Sequence, residues 1–494
     1  MSDAARLVQT IWNFCHTLRD DGVSYLDYLE QLTFLLFLKI IDETEGEAQI
    51  PASYSWSKLS SLKGNALEAQ YFATLHELGR EPGVLGAIFD RAQNKVQDPA
   101  KLARLIKLID AQSWLDLDTD TKGDIYEGLL QRNAEDTKSG AGQYFTPRPL
   151  IQAIIACIRP QPFRTICDPA CGTGGFFLAS TDWLQGEAAW LRENQWLGRD
   201  SNPLTMSEKA FLRAETFHGN EIVASTRRLC LMNLFLRGIG GLGTEPLVQP
   251  GDALASPPSR RFDYVLANPP FGTRSSMTAN TDGQDDDDLT YRRPDFWVTT
   301  SNKQLNFVQH IAGLLAEGGA AAIVVPDNVL FAAGAGERVR ERLLSEFDLH
   351  TILRLPTGIF YAQQVRANVL FLERPAGGSG AKTKRGTWVY DLRTNKRFTL
   401  KGRPMRLKDL KDFVLQYKPN DRSARVETDR FRFFSRELLL ARDRTSLDLN
   451  WIAAEDLGAG PILPPPDVLQ QAVIEQLEAA LEAYREVAAT LTRA

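Results

Sequence analysis

Between Arg164 and Arg374, short apolar runs rich in β-branched residues alternate with helical stretches, and this pattern constrains the fold more than any other feature. The runs are "RTICDPA", "FDYVLANPP", "GGAAAIVVP", "LHTILRLP" and "ANVLFLER". Strands that are apolar almost throughout must be covered on both faces, as in a parallel or mostly parallel sheet with crossover helices. The pattern predicts a doubly wound α/β domain over about residues 140–375. Ligands of such sheets sit outside the carboxyl ends of the strands, so the residues that follow each run are where chemistry is expected.

Two of those positions carry most of the information. In "CDPACGTGGFFLAS" a strand leads to Asp168, then to a turn with Gly172, Thr173, Gly174 and Gly175, then to a helix starting near Phe176. Glycines let the backbone turn sharply and approach a ligand, and a helix start offers free N–H groups. The spacing is not that of the dinucleotide fingerprint and there is no Walker lysine. Alone, such a turn serves a dinucleotide, a phosphate or neither, but an acidic residue at the strand end suits a cationic amine.

In "FDYVLANPPFG" Asn268, Pro269, Pro270 and Phe271 follow a strand. The prolines hold a rigid extended backbone, so the Asn268 side-chain oxygen and the Pro269 carbonyl can face one donor together. That suits an NH2 on a planar ring, and Phe271 offers the ring a face to stack on, worth about 1–3 kcal/mol per base in single-strand binders.

Together these motifs resemble the S-adenosylmethionine-dependent N6-adenine DNA methyltransferases, whose hallmark is Asn-Pro-Pro-Phe. Further segments narrow the likeness to the methylation (M) subunit of type I restriction-modification systems. "GAGQYFTPRPLI" is similar to the segment that folds over the cofactor, which assigns Gln143, Tyr144, Phe145, Thr146, Pro147 and Arg148 to it. "FHGNEIVASTRRLCLMNLFLRGI" places Glu221 at a strand end where the family binds the cofactor ribose, and "PGDAL" places Asp252 where the adenine amine is held. The resemblance implies a Rossmann-like core binding S-adenosylmethionine through Asp168, Gly172–Gly175, Glu221 and Asp252, with Asn268–Phe271 catalytic and no metal. It implies double-stranded DNA as substrate, a specificity (S) subunit, a second copy of the chain and a restriction (R) subunit as partners.

The flanks complete the organisation. From Leu7 to about Arg132 apolar residues recur at helical spacing, which predicts a helical N-terminal domain over 1–135 holding 13 Lys+Arg and 21 Asp+Glu. The methyltransferase domain is expected over 136–455, including a basic stretch at 380–430 with 15 Lys+Arg against 6 Asp+Glu. A solvated face and a role beside DNA phosphates compete for that stretch. After "PILPPPD", residues 456–494 form an amphipathic C-terminal helix over Val468–Leu491, expected to bury its stripe against another subunit. The four aspartates Asp285–Asp288 fit less easily near DNA. A mobile solvated loop is the favoured reading; the sharper one is that the loop is displaced on DNA binding or that Arg292 and Arg293 carry its useful contacts.

Composition bounds the alternatives. With 494 residues and a net charge of -5, the chain is an ordinary folded protein rather than a basic nucleic-acid coat. The five cysteines, Cys15, Cys157, Cys167, Cys171 and Cys230, form no C-x-x-C pair, and with five histidines a zinc site is not expected. The longest apolar run, Leu32–Ile41, is about half of the roughly 20 residues a bilayer requires, so a soluble cytoplasmic protein is expected. Only about 120 residues follow the α/β core, against roughly 150 for a sequence-reading domain. That weighs against a stand-alone adenine methyltransferase. An intact Asn268–Phe271 weighs against a non-catalytic scaffold.

Overall fold

The computed structural model describes residues 25–43, 50–96, 98–111, 146–198, 203–271, 291, 293–360, 365–377, 386–400 and 402–453. In chain order the principal elements begin with helices α1 (Tyr25–Glu43), α2 (Gly64–Leu78), α3 (Gly83–Phe89), α4 (Pro99–Asp110) and α5 (Arg148–Ile158). They continue with β1 (Ile166–Asp168), α6 (Gly175–Gln185), β2 (Phe217–Glu221), α7 (Ala224–Leu236), β3 (Val248–Pro250) and β4 (Phe262–Ala267). Then come α8 (Lys303–Leu314), β5 (Leu315–Pro326), α9 (Ala335–Glu346), β6 (Asp348–Arg354), β7 (Ala367–Glu373), β8 (Gly386–Asp391) and β9 (Phe431–Ser435). No helix among the described residues is long and apolar enough to cross a membrane.

The chain divides into two compact units. The first combines residues 1–142, 171–188 and 202–251; the second combines 143–170, 189–201 and 252–494. In the first, α1 is apolar on nearly every side and is buried accordingly, from Tyr28 through Leu32, Leu35 and Leu38 to Ile41. Its buried Gln31 is satisfied by the Tyr71 hydroxyl, the Lys95 N–H and the Gln93 carbonyl. The helices α1–α4 are tied to the segment around α7. The Phe37 and Phe235 rings lie 5.3 Å apart, Arg228 pairs with Glu30, and the Val84 and Leu85 N–H groups donate to the carbonyls of Thr244 and Leu242 at 3.0 Å. Strands β2 and β3 pair in parallel within this unit.

The second unit is built on seven strands in the order β1-β4-β5-β7-β6-β8-β9. Strands β1, β4 and β5 run parallel, β7 runs antiparallel to both β5 and β6, β8 is parallel to β6, and β9 is antiparallel to β8. β7 can reverse because it returns from the neighbouring β6 through a loop, which needs no crossover helix. Alternate residues of the strands, such as Val265, Ala267, Ile323, Val325, Ile352, Leu370 and Leu372, pack under α8 and α9. On the other face Phe371 meets Phe413 and Tyr417 at 5.9 and 5.1 Å. Both faces are covered, as the apolar runs require. Since β1, β4, β5, β6 and β8 share one direction, their carboxyl ends lie along one edge.

Candidate active site

In the first unit the glycine turn and the end of β2 are built together. Glu221 is the last residue of β2, and its two carboxylate oxygens accept from the Gly172 N–H at 3.0 Å and the Val223 N–H at 2.8 Å. The Cys171 N–H donates to the Asn220 carbonyl and Asn233 donates to the Thr173 carbonyl, so the turn is fixed from both sides. Gly172 and Gly174 have φ of +56° and +86°, a region that favours glycine. A Cβ on Gly174 would meet the Cys230 sulfur at 2.8 Å, whereas one on Gly172 would meet nothing within 4 Å. Crowding excludes a side chain at Gly174. Backbone conformation disfavours one at Gly172, where the space over the turn is open. Helix α6 starts at Gly175, one residue before the expected position.

In the second unit, Asp168 closes β1, is buried, and accepts the Ala170 N–H at 3.0 Å. Asn268 follows β4 and is also buried. Its Nδ2 donates to the Thr146 hydroxyl at 2.8 Å, which fixes the amide by its nitrogen. Thr146 stands directly before Pro147, the residue that caps α5 at Arg148. The segment expected over the cofactor therefore reaches the Asn-Pro-Pro-Phe motif through Thr146. Gln143, Tyr144 and Phe145 lie outside the described residues. Pro269 is buried, while Pro270 and Phe271 are half-buried.

Asp252 uses both oxygens: one accepts the Leu254 N–H at 2.9 Å and the other the Tyr291 hydroxyl. Burial and the Asp252 carboxylate push the Tyr291 phenol far up, so it remains a donor. Two residues at this edge carried no sequence signal of their own. Tyr291 stands alone in the sequence "TYRRP", and Phe360 follows β6. The Phe360 ring meets Phe271 edge-on, with centroids 5.8 Å apart and planes at 78°. Phe360 is fully buried, so it braces the half-buried Phe271 from behind. Phe360→Leu is expected to raise the KM for DNA severalfold more than it lowers kcat, measured by steady-state methyl transfer.

Arg293 departs from the expected DNA contact. It is buried, donates to the Leu254 carbonyl and to Asp295, and lies over the Phe296 ring. Burial and this guanidinium lower His310 to about 3, leaving its Nδ1 a neutral acceptor for Arg293. The charge of Arg293 is satisfied inside the fold. Arg292, Asp285–Asp288 and Val468–Leu491 lie outside the described residues.

With this geometry in view, the comparisons with known proteins are decisive. The N-6 DNA Methylase family model matches residues 117–434, and the HsdM N-terminal domain model matches residues 7–111. The chain belongs to the N-6 DNA methylase family. This methylase is 38% identical to the type I restriction enzyme StySPI methylase subunit of Salmonella potsdam, over 96% of this chain and 93% of that one. It is equally similar, over the same shares, to the EcoKI methylase subunit of Escherichia coli. The crystal structure of the EcoKI M protein matches with a TM-score of 0.53 and 32% identity over 98% of this chain and 96% of that one. A chain of a solved type I R-M system matches with a TM-score of 0.73 and 25% identity over 100% and 99%. The methylase therefore has the fold of the type I M subunits, among the N6-adenine DNA methyltransferases, and its fold and family imply use of S-adenosylmethionine.

Proposed function

We propose that this methylase is the methylation subunit of a type I restriction-modification complex and transfers a methyl group to the N6 amine of a flipped-out adenine in double-stranded DNA. The observation that carries this reading is Asn268, buried at the carboxyl end of β4 in Asn-Pro-Pro-Phe and held through its Nδ2 by Thr146. The target adenine leaves the duplex at a cost of about a few kcal/mol and stacks on Phe271. The Asn268 side-chain oxygen and the Pro269 carbonyl accept hydrogen bonds from the exocyclic amine. These bonds localise the amine lone pair and stabilise the positive charge that develops on nitrogen. S-adenosylmethionine, when bound, supplies an electrophilic methyl group to that lone pair.

The residues present fit S-adenosylmethionine by their chemistry. Asp168 carries a buried carboxylate for its ammonium end, and the open space over Gly172 admits its chain. Glu221 takes the ribose hydroxyls, and Asp252 takes the adenine amine. Gln143–Arg148, Thr173, Gly174 and Gly175 complete the set, on family likeness. Glu221→Ala is expected to weaken S-adenosylmethionine binding at least tenfold in calorimetry while the circular dichroism spectrum stays unchanged.

The wider reading includes a specificity subunit that supplies sequence choice, docked partly through residues 456–494, a second copy of the chain and a restriction subunit, in the cytoplasm. It takes 1–135 as a helical domain and 136–455 as the methyltransferase domain. Tritiated-methyl transfer to unmethylated DNA, with and without the specificity subunit, tests it. Transfer to adenine that requires the subunit is expected, and full sequence-specific methylation by the chain alone would overturn the division of labour.

A further inference from the structure

The strands of the second unit bring three loops to one edge. Asn268–Phe271 follows β4, Leu355–Phe360 follows β6, and residues 392–400 and 402–408 follow β8. The three are packed in sequence. Phe271 meets Phe360, and Gly358, at φ +80°, lies so close to the third loop that a Cβ there would stand 2.1 Å from the Phe398 carbonyl oxygen. Only the turn after β6 separates the stacking face of Phe271 from the loop after β8.

That loop is anchored. Asp391 accepts the N–H groups of Arg393 and Thr394 at 2.8 and 2.7 Å and the Thr394 hydroxyl at 2.6 Å. Arg393 pairs with Asp327, which follows β5, at 2.8 Å. Phe398, Met405 and Leu407 are buried, and a turn closes between Thr399 and Arg403.

Its charge is one-sided. From Leu392 to Lys408 the sequence holds no Asp or Glu. Lys396, Arg397, Arg403, Arg406 and Lys408 are all exposed, and none forms an ion pair among the described residues. Two other guanidiniums of the basic stretch are used differently. Arg422 pairs with Asp348 and Glu373, and Arg425 is buried, with its guanidinium bonded to the carbonyls of Tyr417 and His350 and to the Thr351 hydroxyl. The fold satisfies those guanidiniums internally, yet leaves five like charges in water on the loop after β8. Such a cluster repels itself until a polyanion neutralises it.

We propose that this loop grips the phosphates of the DNA duplex beside the target adenine, an inference that rests on the reading of Asn268–Phe271 as the adenine site. Phosphate contacts of this kind carry no sequence information but fix the register and orientation of the duplex. The loop thereby holds the strand from which the base is turned out, and sequence choice stays with other parts of the complex.

The test replaces Lys396, Arg397, Arg406 and Lys408 together by Gln in the full-length chain, assembled as it binds DNA. Arg403 is kept because its guanidinium lies over the Phe398 ring. Binding of a fluorescein-labelled unmethylated duplex is followed between about 50 and 200 mM salt. Affinity is expected to fall at least tenfold at the low end. The slope of log K against log[salt] should flatten by about 0.9 for each phosphate that is no longer neutralised, or roughly 3 to 4 in all. The KM for DNA rises, and S-adenosylmethionine affinity by calorimetry does not change. The charge-preserving pair Lys396→Arg and Lys408→Arg keeps the full slope. Unchanged affinity and slope in the Gln variant would overturn the proposal. So would loss of a partner subunit on size exclusion at unchanged salt slope, which would make the loop a protein-docking surface. If the unaltered complex transfers no methyl to adenine, the functional reading fails, whatever the Gln variant does to the salt slope.

Discussion

Asn268→Ala leaves a folded chain that still binds S-adenosylmethionine in calorimetry but loses methyl transfer by roughly 10²–10³-fold, the effect of removing one preorganised acceptor or donor at a reacting centre. The size follows from what the side chain does. Its Nδ2 is committed to Thr146, so the amide presents its oxygen in a fixed direction and needs no reorganisation when charge develops on the amine. Thr146→Val removes the tether and keeps the oxygen. It should therefore cost less than Asn268→Ala, with kcat falling and cofactor affinity held. A tritiated-methyl assay on unmethylated DNA reads both variants, and normal turnover by Asn268→Ala would remove the catalytic assignment.

The largest expected effect on stability lies away from the chemistry, at Arg340. This residue has no exposed surface, and its guanidinium donates to the carbonyls of Thr445 and Val329 at 3.0 Å, Ala332 at 2.7 Å and Arg444 at 2.6 Å. Burial lowers it to about 10, still fully protonated at neutral pH. Removing it leaves buried carbonyl groups without donors, at about 1–3 kcal/mol each before water or relaxation recovers part. Arg340→Met, which keeps much of the volume, should cost about 4 kcal/mol, a large share of the roughly 5–15 kcal/mol that holds a domain together. The urea midpoint should drop accordingly with an unchanged slope. A shift below about 0.5 kcal/mol, within the ordinary range for surface substitutions, would mean the carbonyls find other partners.

How far sequence reached is clear from particular residues. Asp168 and Asn268 could be singled out because each stands at the end of an apolar run, whereas Glu221 and Asp252, after the less apolar "FHGN" and "VQPG", were singled out by family resemblance alone. The reversal of β7 was not legible, since "ANVLFLER" is apolar on both faces whichever way it runs. Phe360 and Tyr291 were missed because their roles depend on partners, Phe271 and Asp252, that are distant in sequence and meet only across the sheet edge. Arg340 was missed for a related reason. In "AGERVRERLLSE" it reads as one of three solvated arginines, although Gly336, one turn before it, marks the crowded face onto which its guanidinium folds. The basic stretch divides along the same line, into cations that find internal acceptors and cations that do not.

The packing of α1 and α3 on α7 has an evolutionary consequence. Glu221 stands two residues before the cap of α7, and α7 presents Arg228 and Phe235 to Glu30 and Phe37. A recombination event that exchanged the N-terminal helices for ones without Glu30 and Phe37 would split these pairs and leave Arg228 buried against an unmatched surface. A chimaera with its crossover before α7 is therefore expected to lose stability wherever the donor helices lack a partner for Arg228 or Phe235, and one with its crossover after α7 keeps both pairs.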